Sequence, residues 1–217
     1  MCFCAGASFT IGSVLGIVGG ATLIKIPQKS FRMIALIPIL FAIQQFVEGI
    51  IWLQINGEFQ PTSQLGQAAP YIYLVFAWVL WPTFCPVALL IPEKVLWRKI
   101  VCLFSLLIGV YVSISDMRYI VSTTISVTVV GHSITYGEVL FSEKILYLLA
   151  ILPPVLVSSV KKMWLFGALV FASFVFSMII YTATFTSIWC FFAAAISLVL
   201  YEILCIANAD YAKEGSK

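Results

Sequence analysis

Apolar residues fill this chain in long runs, and the short segments between the runs collect its charges, prolines and glycines. Cutting at those segments leaves seven stretches at about 5–24, 33–54, 70–91, 98–115, 140–159, 163–183 and 186–206. Each is close to the ~20 residues that an α-helix needs to cross a hydrocarbon core. The pattern predicts an all-α membrane protein, a seven-transmembrane helix bundle forming one domain over residues 1–207, with a tail at 208–217. Residues 116–139 break the pattern. There, residues 120–130 are dense in Val, Ile, Thr and Ser, and Gly131-His132 separates them from residues 133–136, which predicts a β-hairpin between helices 4 and 5. The hairpin either covers a mouth of the bundle or stands as a solvated turn.

Composition sharpens the class. Of 217 residues, 62% are hydrophobic and 10% charged, and the mean hydropathy is +1.09, values outside the range of soluble domains. The net charge of +3 is small and the Lys and Arg residues lie between apolar runs, which excludes a nucleic-acid-binding face. Their placement sets orientation instead, because positive loops stay cytoplasmic. Lys25, Lys29 and Arg32 follow the first run, Lys94, Arg98 and Lys99 the third, and Lys161 and Lys162 the fifth. The alternate loops are poor in basic residues, and in the hairpin loop Arg118 and Lys144 are accompanied by Asp116, Glu138 and Glu143. The N-terminus and the hairpin are therefore expected outside, and the C-terminal tail in the cytoplasm. Residues 1–10 lack the basic region of a secretory signal, so the first run reads as a retained helix. Its Ser8, Gly12, Gly16 and Gly20 recur at every fourth position, a stripe that lets a neighbouring helix approach closely.

The second run holds the costliest polar group, because Gln44, Gln45 and Glu48 stand inside an apolar, helix-length stretch. A carboxylate at bilayer depth marks a functional site by default. Gln44, Glu48 and Trp52 are spaced i, i+4, i+8 and share a face, with Gln45 beside Glu48 at i+3. The expected topology runs this helix outward and sets Glu48 roughly 9 Å below its outer end, at ~1.5 Å per residue. In the third run Trp78, Trp81 and Cys85 follow i, i+3, i+7. Pro82 and Pro86 each free a backbone carbonyl one turn earlier, which either shapes a cavity or serves packing. The sixth run carries Ser173, Ser177 and Tyr181 at i, i+4, i+8, and the seventh opens with Thr186, Ser187, Trp189 and Cys190. Trp97 belongs at a membrane interface, and Trp52 lies near one. Cys2, Cys4 and Cys190 fall near the outer face, where an oxidising compartment would permit a disulfide from Cys190 to Cys2 or Cys4. Cys2 and Cys4 are weak candidates for a soft metal, and no metal site is assigned.

Four motifs then fall into place. The N-terminus MCFCAGASF, the LFAIQQFVEGIIW of residues 40–52, the FAWVLWPTFCP of residues 76–86 and the SIWCFFAA of residues 187–194 occur in that order. The chain resembles a family of uncharacterised bacterial multi-pass membrane proteins that begin MCFSA-x-ASF and share the other three motifs. The resemblance covers most of the chain and departs at Cys4, where the family has Ser, so the Cys-x-Cys pair is no family property. It implies a multi-pass fold in a bacterial inner membrane, and no activity, ligand or cofactor.

Better-known seven-helix classes are excluded by residue type. Residues 186–206 contain no Lys for a retinal Schiff base, and His132 is the chain's single histidine, which excludes bis-His haem, multi-His zinc hydrolases and a Ser-His-Asp set. The leading reading is a binding or transport protein with an outward-facing cavity built by helices 1, 2, 3 and 7. Gln44, Gln45, Glu48, Trp52, Trp78, Trp81, Trp189 and Cys190 would line it for a small ligand, cationic by preference, or a proton. A membrane enzyme or thiol and metal redox protein using Glu48 or Cys2, Cys4 and Cys190 is the alternative. A third is that Glu48 only fastens the bundle. Lipid is the expected surrounding partner.

Overall fold

The computed structural model describes residues 4–58, 64–136 and 141–214. Its helices are α1 (Ala5–Lys25), α2 (Arg32–Ile55), α3 (Gln64–Leu74), α4 (Trp81–Leu90), α5 (Leu96–Ser122), α6 (Phe141–Val157), α7 (Met163–Ile180), α8 (Phe185–Ile196) and α9 (Val199–Glu214). A π-helical turn, Val75–Leu80, joins α3 to α4 in one rod, and α8 and α9 likewise follow one another. Among the described residues, six rods are long and apolar enough to cross a membrane: Ala5–Lys25, Lys29–Ile55, Gln64–Leu90, Leu96–Ser122, Met163–Ile180 and Thr182–Asp210. The expected fifth span is a shorter apolar helix, Lys144–Val157. The expected fourth span is longer than its apolar run, since α5 continues through Asp116 and Arg118 to Ser122. No Gly or Pro interrupts those residues, and charge alone does not end a helix that has left the apolar slab.

Large apolar side chains point outward on several rods, with Ile24 88%, Ile17 74%, Val121 72%, Ile179 71% and Leu107 70% exposed. Such a belt is costly in water and suits lipid. Trp97 and Trp164 are half exposed at the end of the bundle that carries the basic loops, as interfacial indoles do.

Helices α1 and α2 share the most extensive helix contact. The small-residue stripe contributes, though it drifts from the strict four-residue spacing. Ser8, Gly12, Leu15, Gly19 and Thr22 are the buried row, following 4, 3, 4, 3 because a helix turns every 3.6 residues. A Cβ on Gly19 would lie 2.6 Å from the Ile39 side chain, whereas one on Gly20 would meet nothing within 4 Å.

The hairpin forms from β1 (Thr128–Val130) and β2 (Ser133–Thr135), antiparallel with Val129 opposite Ile134. Gly131 supplies the positive φ of the turn, at 64°. It is a cover and not a free turn: Ser133, Ile134 and Tyr136 are buried, and the Tyr136 ring stacks on Tyr73 at 4.6 Å. Ile134 and Tyr136 join Trp52, Trp78 and Ile188 in an apolar cluster at this end, while a larger cluster fills the rest of the bundle.

The helix break at Val75–Leu80 is held by its neighbours. Pro82 removes a backbone donor, and a π turn widens the ladder just before it. The Tyr147 hydroxyl donates to the Ala77 carbonyl (2.6 Å), the Ser113 hydroxyl to that of Val79 (2.7 Å) and the Thr83 hydroxyl to that of Leu80 (3.0 Å). Pro86 cannot donate to the Pro82 carbonyl, and Gly109 of α5 packs there instead. A Cβ on Gly109 would sit 2.0 Å from that oxygen.

At the opposite end Glu93 ties two loops together. Its carboxylate accepts from the backbone N–H groups of Lys94 (3.0 Å), Val95 (3.0 Å) and Ser159 (2.9 Å) and from the Ser159 hydroxyl (2.6 Å). Arg98 donates in turn to Ser159. Capture of Ser159 ends α6 at Val157, two residues short of the expected boundary. Partial burial pushes the Glu93 carboxyl up, and the four donors outweigh it and hold the group below its ordinary 4.5.

Two outcomes follow from these contacts. Gly109→Ala should lower stability by at least about 1–3 kcal/mol, the usual cost of overpacking, read as an earlier thermal unfolding transition in detergent; an unchanged transition would show that α5 does not need to approach Pro82. The Glu93 clasp should stabilise fully at pH above 4.5 and weaken as pH falls through its lowered value. Glu93→Gln should therefore flatten the acid limb of the wild-type stability curve while lowering the plateau at neutral pH.

Candidate functional site

Helix α2 turns Gln44, Gln45 and Glu48 inward, and all three are buried, at 0%, 0% and 2% exposure. Glu48 meets α8: the Ser187 hydroxyl donates to its Oε1 at 2.5 Å, and Gln45 Nε2 to its Oε2 at 3.3 Å. Among the described residues no Lys, Arg or His nitrogen lies within ion-pair distance of this carboxylate. The Tyr73 hydroxyl and Cys190 thiol border the same group, with Tyr136 beyond them. One turn earlier, the Trp81 indole N–H donates to Gln44 Oε1 at 2.9 Å, and Trp81 stacks on Phe41 at 4.0 Å.

Buried polar atoms with no hydrogen-bond partner include Gln44 Nε2, Gln45 Oε1, Tyr73 OH and Tyr136 OH in this layer, and the indole nitrogens of Trp52 and Trp189 in the apolar clusters on either side of it. Buried polar groups are normally satisfied, so a cluster of this size is a place of unmet hydrogen-bonding capacity. It holds both donors and acceptors around one carboxylate.

Of the residues expected at the site, Gln44, Gln45, Glu48, Trp81 and Cys190 come together. Trp52 is buried in the hairpin-end cluster. Trp78 is separated from Trp81 by the π turn, which adds a residue to the ladder and breaks their common face; its indole N–H donates to Thr186 at 3.3 Å. Trp189 packs in an aromatic group with Tyr147, Phe174 and Phe185, at 5.1 to 5.4 Å between ring centres. Cys4 and Cys190 are both free thiols here, Cys4 exposed and Cys190 buried. Cys2 lies outside the described residues.

Glu48 lies behind the walls of two neighbouring cavities and lines neither. The first, at the hairpin end, is bounded by Asp116, Lys144, Trp78 and Thr186. The second lies deeper, among α2, α4, α6, α7 and α8. Tyr147, Trp189 and Cys190 belong to both. No residue of α1 lines either one; α6 lines both, and α7 lines the second. Sequence reasoning passed over Ser187, Tyr73, Tyr136 and Tyr147. Ser187 stands two residues before Trp189 in the fourth motif, and the three tyrosines are hydroxyls inside or beside apolar runs, the one signal available for them.

A family model matches residues 1–214. The chain belongs to DUF6629, a family of unknown function. Comparison of this DUF6629 chain with curated proteins and with solved structures found no match. The family match spans all four motifs and hence Glu48, Gln44, Trp81 and Ser187, and it carries no activity with it.

The Trp81–Gln44 bond is testable by a double-mutant cycle of Trp81→Phe and Gln44→Leu, with unfolding followed in mixed micelles. The expected coupling is about 0.6–1.7 kcal/mol, the range for interhelical hydrogen bonds in membranes. Additive effects would remove the bond from the forces that orient Gln44.

Proposed function

We propose that this chain is a membrane binding or transport protein in which Glu48 takes up a proton or a small cation. The observation that carries the reading is the carboxylate itself, which is 2% exposed, is held by one hydroxyl and one amide, and has no basic partner among the described residues. A negative charge in that setting has to be neutralised, and a proton or a cation does so. The surrounding oxygens and indole faces are suited to a small cation.

The route runs from the hairpin end. Asp116 and Lys144 flank the first cavity, Trp78 and Thr186 continue it, and Cys190 is shared by that cavity and the Glu48 cluster. Loop charges favour the hairpin end outside and the Glu93 end in the cytoplasm of a cytoplasmic membrane. The site then opens outward, with the hairpin above it.

Glu48→Gln retains the size of the side chain and its capacity to meet Ser187 while removing the titrating group. In proteoliposomes carrying an internal pH dye, wild type should show cation- or proton-linked flux across an imposed gradient and Glu48→Gln should lose at least tenfold, with normal folding. Glu48→Asp should keep part of it. Equal flux in wild type and Glu48→Gln, combined with a loss of stability in Glu48→Leu, would make the carboxylate a fastener between α2 and α8 and overturn the proposal.

A further inference from the structure

Glu48 is met by two groups that can each reverse the direction of a hydrogen bond. The Ser187 hydroxyl, 2.5 Å from Oε1, carries one hydrogen and two lone pairs, so it can donate to a carboxylate and accept from a carboxylic acid. The Gln45 amide places Nε2 at 3.3 Å from Oε2, and its own Oε1 is buried with no partner. The two ends of an amide are nearly the same size, so a half-turn about its last bond presents an acceptor to the acid form. Neither change requires the backbone to move. Among the described residues the titratable groups bordering Glu48 are Tyr73 of α3, Tyr136 at the end of the hairpin and Cys190 of α8, phenols and a thiol of a kind that is neutral near neutral pH. Helix α1 brings only the ring of Phe9 against Gly49, and α4 brings the Trp81 indole to Gln44 one turn away.

Larger occupants are disfavoured by space and by donor type. The two neighbouring cavities measure about 50 and 30 Å³ and Glu48 lines neither, whereas a benzene-sized molecule occupies a cavity of ~150 Å³. That argues against organic cations. A calcium ion gathers about six to eight oxygens at ~2.3–2.6 Å. Here Oε1 is engaged by Ser187, Oε2 faces an amide donor, and no three His, Cys, Asp or Glu side chains stand together among the described residues. We propose that Glu48 is a proton-selective site, at which Ser187 and Gln45 reverse their hydrogen bonds as the carboxylate gains and loses one proton, and from which metal and organic cations are excluded. This rests on the reading of Glu48 as an uptake site and chooses between its two occupants. Uptake forms one O–H bond on the carboxylate and cancels its charge; release breaks that bond, and no other covalent bond changes.

Infrared difference spectra of the full chain in nanodiscs, taken across a pH series, read the carboxyl group directly. Wild type should show a carboxyl C=O band that grows as pH falls and is missing from Glu48→Gln; Glu48→Asp, which displaces the band, identifies it should Glu48→Gln fail to fold. A hundredfold increase in sodium, potassium or calcium chloride, balanced by choline chloride at constant ionic strength, should move the half-point by less than twofold in proton concentration. Ser187→Ala and Gln45→Leu should each shift the C=O band to higher frequency, because the acid form loses an acceptor, and Ser187→Thr should keep the wild-type frequency. A half-point that moves twofold or more with any one of the salts overturns proton selectivity and leaves cation uptake by Glu48 standing. A band that does not titrate, or one whose frequency is unchanged in both Ser187→Ala and Gln45→Leu, overturns the proposal. A titrating, salt-insensitive band that shifts in those variants supports it even where proteoliposome flux is equal in wild type and Glu48→Gln, the result that removes transport.

Discussion

The Glu48 carboxylate has to be buried without a counter-charge, and much of the bundle is arranged around that constraint. It is reached from α8 by the Ser187 hydroxyl, 139 residues further along the chain, so the second and last rods must meet at one depth. The layer that results divides the interior. Trp52, Trp78, Tyr73 and the hairpin residues form one apolar cluster, and Phe41, Trp81 and Trp189 belong to the other. A hydrogen bond from a hydroxyl to a carboxylate is stronger than a neutral pair and stronger again where the dielectric is low. The hairpin keeps it low by placing Tyr136 over Tyr73.

Helix breaking near this layer follows from the proline pattern, and the side-chain donors follow from the break. Within hydrocarbon every freed carbonyl has to find a donor. Tyr147 of α6 donates to the Ala77 carbonyl, five residues before Pro82, and Ser113 of α5 and Thr83 of α4 itself add donors to the carbonyls of Val79 and Leu80. Gly109 provides close approach where no donor exists, at the Pro82 carbonyl. The same break displaces Trp78 from Trp81, so one indole bonds to α8 through Thr186 and the other to α2 through Gln44. The two tryptophans thereby brace the third rod against the two helices that hold Glu48.

Much of this was legible in the chain. Apolar run length located the rods, the β-branched stretch around Gly131 located the hairpin, and the i, i+4 spacing located Gln44 and Glu48 on one inward face. Three features escaped for physical reasons. A π turn adds a residue without a residue-type signature, so Trp78 left the face it was expected to share with Trp81 and Cys85. Charges beyond the apolar slab did not stop α5, because helix ends are set by caps and breakers, while α6 stopped early because Glu93, far away in sequence, captures Ser159. Ser187 was passed over because a serine near a helix start ordinarily bonds within its own helix, and only tertiary contact shows that it bonds to Glu48.

Uptake and release at Glu48, as proposed above, would require a second arrangement of the bundle, and a ligand shifts the two only through unequal affinity for them. The backbone at Val75–Leu80 already departs from α-helical geometry. Its ladder is already widened, and the carbonyls of Ala77 and Val79 accept from side chains of other helices. Tyr147 is the element that links this break to the interior, because its hydroxyl fixes Ala77 while its ring forms part of both cavities and packs on Trp189. Rotation of Tyr147 would release the Ala77 carbonyl and change both cavities in one step.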